Sequence, residues 1–164
     1  MRGSRRWRAP WLTASSGACS SWATPSLRSW LEVPFAPWFP AAHGQNEVVI
    51  RAAAAATGRF VAGGFITVYD GVLGPWFLAD FAAEAALDHL HYVILLPSVE
   101  RCVDRVSNRL GHGFTDEDAT RHMHREFAQA DIDPRHVLAD LPASAAETAA
   151  EIARRVQAGT LRYP

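Results

Sequence analysis

The sequence contains no lysine: all 16 of its basic residues are arginine. A high-GC coding sequence produces such a bias. Its chemical consequence is firm, because no Schiff-base lysine and no phosphate-loop lysine can act in this sequence. Cysteine is nearly absent too. Cys19 and Cys102 stand far apart with no CxxC spacing, which argues against a disulfide framework or a zinc site and fits a reducing cytoplasm. No uninterrupted apolar run approaches 18 residues, so no membrane span is expected. The formal net charge of −1 gives no general attraction to polyanions. What is present is a chain of 164 residues, 49% hydrophobic, enough for one domain with a real core.

Two unlike pieces follow one another. Residues 1–40 carry five of the six tryptophans, five arginines and a single acid, Glu32. They show no sustained period of two or of 3.6 and read as an irregular Arg/Trp/Ser/Pro-rich leader. Residues 5–6 begin a faint twin-arginine pattern, but residues 11–23 are too rich in Ser and Thr for an export signal. The leader has too few arginines for a nucleic-acid platform. Residues 41–164 hold sixteen acids against eleven arginines, a net charge of −5.

Regular pattern begins with this second piece. Residues 46–62 are alanine-rich and helical, ending at Gly63-Gly64. Residues 65–70 (FITVYD) read as a strand. Pro75 opens a helix over 75–87. Residues 89–97 are a continuous apolar strand, whose unbroken apolarity suggests burial on both faces. Ser98 caps a helix over 99–110, and Thr115 with Asp118 has capping-box spacing before a helix over 116–130. A short strand at 135–140 and a Ser144–Glu147 capping box before a helix over 145–158 complete the series. Alternation of this kind predicts a parallel sheet with helices on both faces.

In such a sheet, ligands gather at the carboxyl ends of strands. Asp70 lies at such an end with Gly71 beside it, where it binds magnesium directly or through water, or takes a hydroxyl proton, or merely closes a turn. Arg101, Arg105 and Arg109 recur every four residues, and Arg121 and Arg125 repeat the spacing on the next helix. Their planar forks suit phosphate oxygens, although a solvated face laced with ion pairs has the same pattern. His122 and His124 point apart on a helix and cannot share an ion. His89 and His91 would share a strand face, but a third metal ligand is not evident; with an acid they would give a metal-dependent hydrolase. His112 sits in a glycine loop and faces a substrate or solvent. Gln45, Asn46 and Glu47 begin a helix and either read a small substrate or cap and solvate. Trp76 either flanks a flat ligand or packs the core.

Taken together, "GGFITVYDGVLGPWF", "HYVILLPS", "VERCVDRVSNRL" and "GHGFTDEDATRHMHREF" resemble the later two-thirds of small P-loop kinases. The likeness spans about residues 36–164. It is nearest to the chloramphenicol-phosphotransferase-like and nucleotide-kinase-like ATP-binding proteins of bacteria. It implies a three-layer α/β/α P-loop NTPase-like fold with a parallel sheet of about three strands, truncated at the N-terminus. It also implies cytoplasmic transfer of the γ-phosphate of ATP, with Mg2+, to a small hydroxylated acceptor. Asp70 would be base or metal contact, Arg105 and Arg109 would hold ATP, and Arg121 would stabilise the transferring phosphoryl group. Gln45, Asn46 and Trp76 would face the acceptor.

The same likeness implies a first strand followed by GxxxxGK[ST], and this sequence has neither. In the kinase fold that strand lies between those corresponding to 65–70 and 90–96. Two strand edges are therefore expected to want a partner. Activity is in doubt for that reason, and a truncated or out-of-frame product or a non-catalytic small-molecule-binding pseudokinase is the alternative expectation.

Overall fold

The computed structural model describes residues 35–108, 115–142 and 144–164. Five α-helices and two small sheets are present among them: α1 (His43–Ala62), α2 (Leu78–Ala85), β1 (Leu90–His91), β2 (Ile94–Leu95), α3 (Val99–Ser107), α4 (Glu117–Gln129), β3 (Val137–Leu138), α5 (Ala145–Gln157) and β4 (Arg162–Tyr163). The helices dominate. No P-loop-like parallel sheet is found among the described residues. Residues 1–34 of the leader, including Cys19, lie outside them, as do Arg109 and His112.

The chain is built into the fold before residue 41. A 3-10 turn at Pro40–Ala42 runs straight into α1. Alanine favours the helix, and one face of it (Val49, Ile50, Ala53, Ala54 and Thr57) is buried. That spacing of three and four places the buried positions in one stripe. The stripe packs on Leu78, Phe81 and Ala85 of α2, and Phe81 is 1% exposed. Full burial of such a side chain contributes about 1.5–3 kcal/mol. Gly58 allows the close approach of the two helices, because a Cβ there would meet the carbonyl group of Ala85. Pro75 opens a 3-10 turn at Pro75–Phe77 before α2, shorter than the helix expected over 75–87.

The apolar run 89–97 divides between two sheets. β1 pairs antiparallel with β4, Leu90 opposite Tyr163 and His91 opposite Arg162. β2 pairs parallel with β3, Ile94 opposite Val137 and Leu95 opposite Leu138. The Leu96 amide extends this ladder by donating to the Leu138 carbonyl at 2.9 Å. Ile94 is buried but Leu95 is 46% exposed, so β2 is covered on one face rather than on both. α3 and α4 form the crossover between the parallel strands, and this pair is the one piece of the expected parallel sheet among the described residues.

Residues 65–70 do not form the expected strand. They run without turn or bend from Phe65 to Asp70 but join no ladder. The physical reason is a missing neighbour. β2 has β3 as its partner, and no described strand lies where 65–70 could pair. Apolar alternation makes a strand only when a second strand satisfies its backbone. The capping box expected from Thr115 and Asp118 is also replaced. Asp116 is the N-cap of α4, its carboxylate accepting from the Ala119 amide at 2.8 Å. The Ser144–Glu147 box forms as expected.

Tyr92, between β1 and β2, joins three remote segments. Its hydroxyl donates to the Leu73 carbonyl at 2.6 Å. Its amide donates to the Leu161 carbonyl at 2.9 Å. Its carbonyl lies 2.9 Å from Nδ1 of His136. Arg135 Nε donates to Nε2 of the same ring at 3.3 Å, so Nε2 is the acceptor and Nδ1 carries the proton given to Tyr92. Burial pushes the Tyr92 phenol well above its ordinary range, keeping it a neutral donor. Replacing Tyr92 with Phe leaves the buried Leu73 carbonyl without its donor, which costs about 1–3 kcal/mol. Urea unfolding is expected to show a lower midpoint at an unchanged slope; an unchanged midpoint would deny the bond its role.

Candidate anion site at the carboxyl edge of the parallel strands

β2 and β3 end on the same edge because they are parallel, and each is followed by a helix start. After β2, Ser98 caps α3, its Oγ accepting from the Arg101 amide at 3.3 Å. After β3, Ser144 caps α5 through the Glu147 amide at 3.2 Å. Two helix N-termini therefore face one edge, and each adds partial positive charge. Arg101 ties the two halves together. Its guanidinium donates to the carbonyls of Leu141 and Pro142, each at 3.4 Å. This arginine is held by backbone and serves structure.

α4 closes the edge from the other side. His124 Nε2 donates to the Pro97 carbonyl at 2.8 Å, since that carbonyl can only accept. Arg121 and Arg125 flank His124 on the same helix, and both are exposed. Arg121 lies 4.0 Å from Glu117, a loose and solvated pair. Glu117 in turn accepts from Ser107 Oγ at 2.9 Å, joining the end of α3 to the start of α4. Glu100 is held below the ordinary carboxylate range by its own backbone amide and by Ser98. Arg121 and His124 contribute smaller attractions across the helix pair. Arg105 is exposed and bonds to no described residue. Cys102 is half-buried, and burial raises its thiol against the pull of Arg105 and Arg101.

Two of the three sequence candidates on the acceptor side, Gln45 and Asn46, serve structure here. Gln45 Nε2 donates to the Phe35 carbonyl at 3.0 Å and its Oε1 accepts from the Phe35 amide at 3.4 Å. Asn46 Nδ2 donates to the Pro37 carbonyl at 2.7 Å. Both fasten residues 35–37 onto α1. Trp76 is 43% exposed. Its ring packs against Phe127 of α4 at 5.3 Å and lies over Gly74, where a Cβ would strike the indole. Trp76 therefore joins the loop after Asp70 to the helix that bears Arg121.

Asp70 itself is exposed just before the bend at Gly71. No hydrogen bond or ion pair connects it to Arg105, Arg121 or any other described residue. His91 faces Arg162 across β1–β4, and its imidazole is lowered by burial first, then by Arg162 and His89. Among the described residues no group of three or more His, Cys, Asp and Glu side chains is placed to hold a metal ion, and no helix is long and apolar enough to cross a membrane.

Sequence reasoning missed the groove at the end of β3. It is shallow, about 480 Å3, and Asp140, Glu151 and Arg155 are among its walls. Glu151 receives Arg154 through Nε at 2.8 Å and a terminal nitrogen at 2.7 Å, and Arg155 Nε at 2.7 Å. The only available signal was the Glu151-Arg154-Arg155 spacing on one helix face. No protein-family model and no curated protein matches this sequence.

The two arginines hold the Glu151 carboxyl down from 4.5 to about 2. A depressed folded-state value contributes stability above the unfolded value and loses it as pH falls through the folded one. The stability gap between the native chain and Glu151→Gln is therefore expected in full above pH 4.5, to shrink below it, and to vanish near pH 2. Thermal melts across that range check this. A gap independent of pH would show that the carboxylate charge does not matter.

Proposed function

We propose that this chain is a kinase-like domain that holds a small anionic molecule at the carboxyl edge of β2 and β3 without turning over ATP. The observation that carries the reading is the edge itself. Each of the parallel strands is followed by a capped helix start, Arg101 bridges the two through the Leu141 and Pro142 carbonyls, and the exposed Arg121 is near enough to Glu100 of α3 to act on its carboxylate, with Arg105 one turn beyond Arg101. Such an edge favours negative charge through the helix dipoles and through bidentate bonds from arginine. The missing phosphate loop argues in the opposite direction for catalysis. Its amides and lysine would supply the main contacts to the β- and γ-phosphates. With no lysine in the sequence, no phosphate-loop lysine supplies that charge.

The phosphotransferase itself is a second reading, favoured by the resemblance and by the exposed carboxylate of Asp70. In it, Asp70 accepts the acceptor's hydroxyl proton, Arg121 steadies the phosphoryl group, Arg105 and Arg109 hold ATP, and Mg2+ neutralises the phosphates. Gln45 and Asn46 are occupied with residues 35–37, which leaves Trp76 as the acceptor-side residue still offered to solvent.

Calorimetry with a simple sugar phosphate, inorganic phosphate and ATP–Mg2+ separates the two. Binding of the sugar phosphate or phosphate is expected, with ATP–Mg2+ binding weakly and no turnover. Arg121→Ala and Arg105→Ala should each weaken the anion about tenfold or more, the worth of one charge-assisted hydrogen bond. Tight ATP–Mg2+ binding, or turnover lost in Asp70→Asn, would overturn the binding-only reading.

A further inference from the structure

The carboxyl edge makes no use of the outer side of α1. Every fourth residue from Gly44 to Phe60 (Gly44, Val48, Ala52, Ala56 and Phe60) is exposed, and none has a polar side chain. Residues four apart form a ridge along a helix. Val48 is 64% and Phe60 57% exposed. Phe35 and Phe65, 45% and 66% exposed, extend the ridge at its two ends. Gln45 holds Phe35 against the first turn of α1, and Phe65 meets Phe60 edge to face at 6.2 Å. Charge is sparse on this helix. Its twenty residues include only Glu47, Arg51 and Arg59 as charged side chains, and Glu47 and Arg51 meet each other at 2.8 Å. A helix that is apolar on its outer side as well as on its core side calls for a second cover.

We propose that this ridge packs against the same ridge of a second copy of the chain, α1 antiparallel on α1 about a two-fold axis at Ala52. In a two-fold contact, residue i of one copy meets j of the other and j meets i. Reversing the ridge about Ala52 sets Val48 against Ala56 and Phe60 toward Gly44, so each large residue meets a small one. The space over Gly44 is open, because a Cβ there would meet no atom of the described residues. Ala52 at the crossing lets the two helix axes approach to about 8 Å. The other long helices offer no such match. They expose charge instead: Asp104 and Arg105 on α3, Arg121 and Arg125 on α4, Glu147 and Arg154 on α5. The ridge side chains point into the contact, so helix-on-helix packing is what removes them from water. With Phe35 and Phe65 they offer roughly 500 Å2 per copy, the size of a functional patch on a monomer. Two copies remove roughly 1,000 Å2, the least that a specific interface needs. The dimer is therefore a weak one.

Sedimentation of the full chain, from low micromolar to its highest soluble concentration, tests this. A monomer–dimer equilibrium that stops at twice the chain mass is expected. Ala52→Arg places two like charges against each other on the axis and should weaken the dimer about a hundredfold or more. Arginine is a good helix former, so the circular-dichroism spectrum of that variant should not change. Val48→Glu should weaken the dimer as well. Val72→Lys, at a position 62% exposed but off the ridge, should leave it intact. A monomer at every concentration overturns the proposal, since the ridge is then bare or covered by something else. Open-ended growth, a dimer indifferent to Ala52→Arg and Val48→Glu, or one disrupted equally by Val72→Lys overturns it too.

Discussion

The three bonds of Tyr92 are the constraint on which the rest of the molecule depends. One residue holds Leu73 by its hydroxyl, Leu161 by its amide and His136 by its carbonyl. Those partners lie in the loop before α2, at the approach to β4 and at the approach to β3. Tyr92 is 7% exposed, so every one of these groups would be costly to leave unmet. The helical half, built on α1 and α2, and the sheet half, built on β1 to β4, share few regular hydrogen bonds. Tyr92, Ile94 and Leu73 belong to the same apolar cluster as Ile50, Phe77 and Phe81. Polar bonds fix the geometry that this burial stabilises.

The position of the edge follows from that arrangement. His136 is drawn onto the Tyr92 carbonyl, which sets where the chain enters β3 beside β2. Once those strands lie parallel, their ends must coincide, and so must the starts of α3 and α5. Arg101 then finds the Leu141 and Pro142 carbonyls forty residues away in sequence. An arginine that looked like a phosphate ligand becomes a brace. Arg121 and Arg105, one helix over and one turn along, keep their charge in solvent.

Local chemistry was legible in the sequence wherever the interaction was local. Ser98 and the Ser144–Glu147 box mark helix starts because their bonds close within three residues. Alanine-rich α1 ends at Gly63, and Gly64 takes the left-handed φ of +85° that a non-glycine residue avoids. What failed was pairing. FITVYD has strand composition, but nothing in six residues says whether a neighbour exists. Thr115 lost to Asp116 because adjacent polar residues compete for the same cap. Gln45 and Asn46 looked like substrate readers because the segment they fasten, residues 35–37, has no pattern of its own. At the site, the spacing of the arginines was visible, whereas the distant carbonyls that take Arg101 were not. Tyr92 was hidden within an apolar run, since its acceptor lies nineteen residues back.

The central claim is that Tyr92 anchors the fold while the amides of Ile66, Thr67 and Val68 bond to no described residue. Amide hydrogen exchange on the full chain tests this residue by residue. The account predicts that the amides of Tyr92 and Leu96 exchange in the slowest class, and that those of Ile66, Thr67 and Val68 exchange near the rate of an unstructured peptide. Protection of Ile66, Thr67 and Val68 to the level of Leu96 would contradict it, because the segment would then be an internal strand after all.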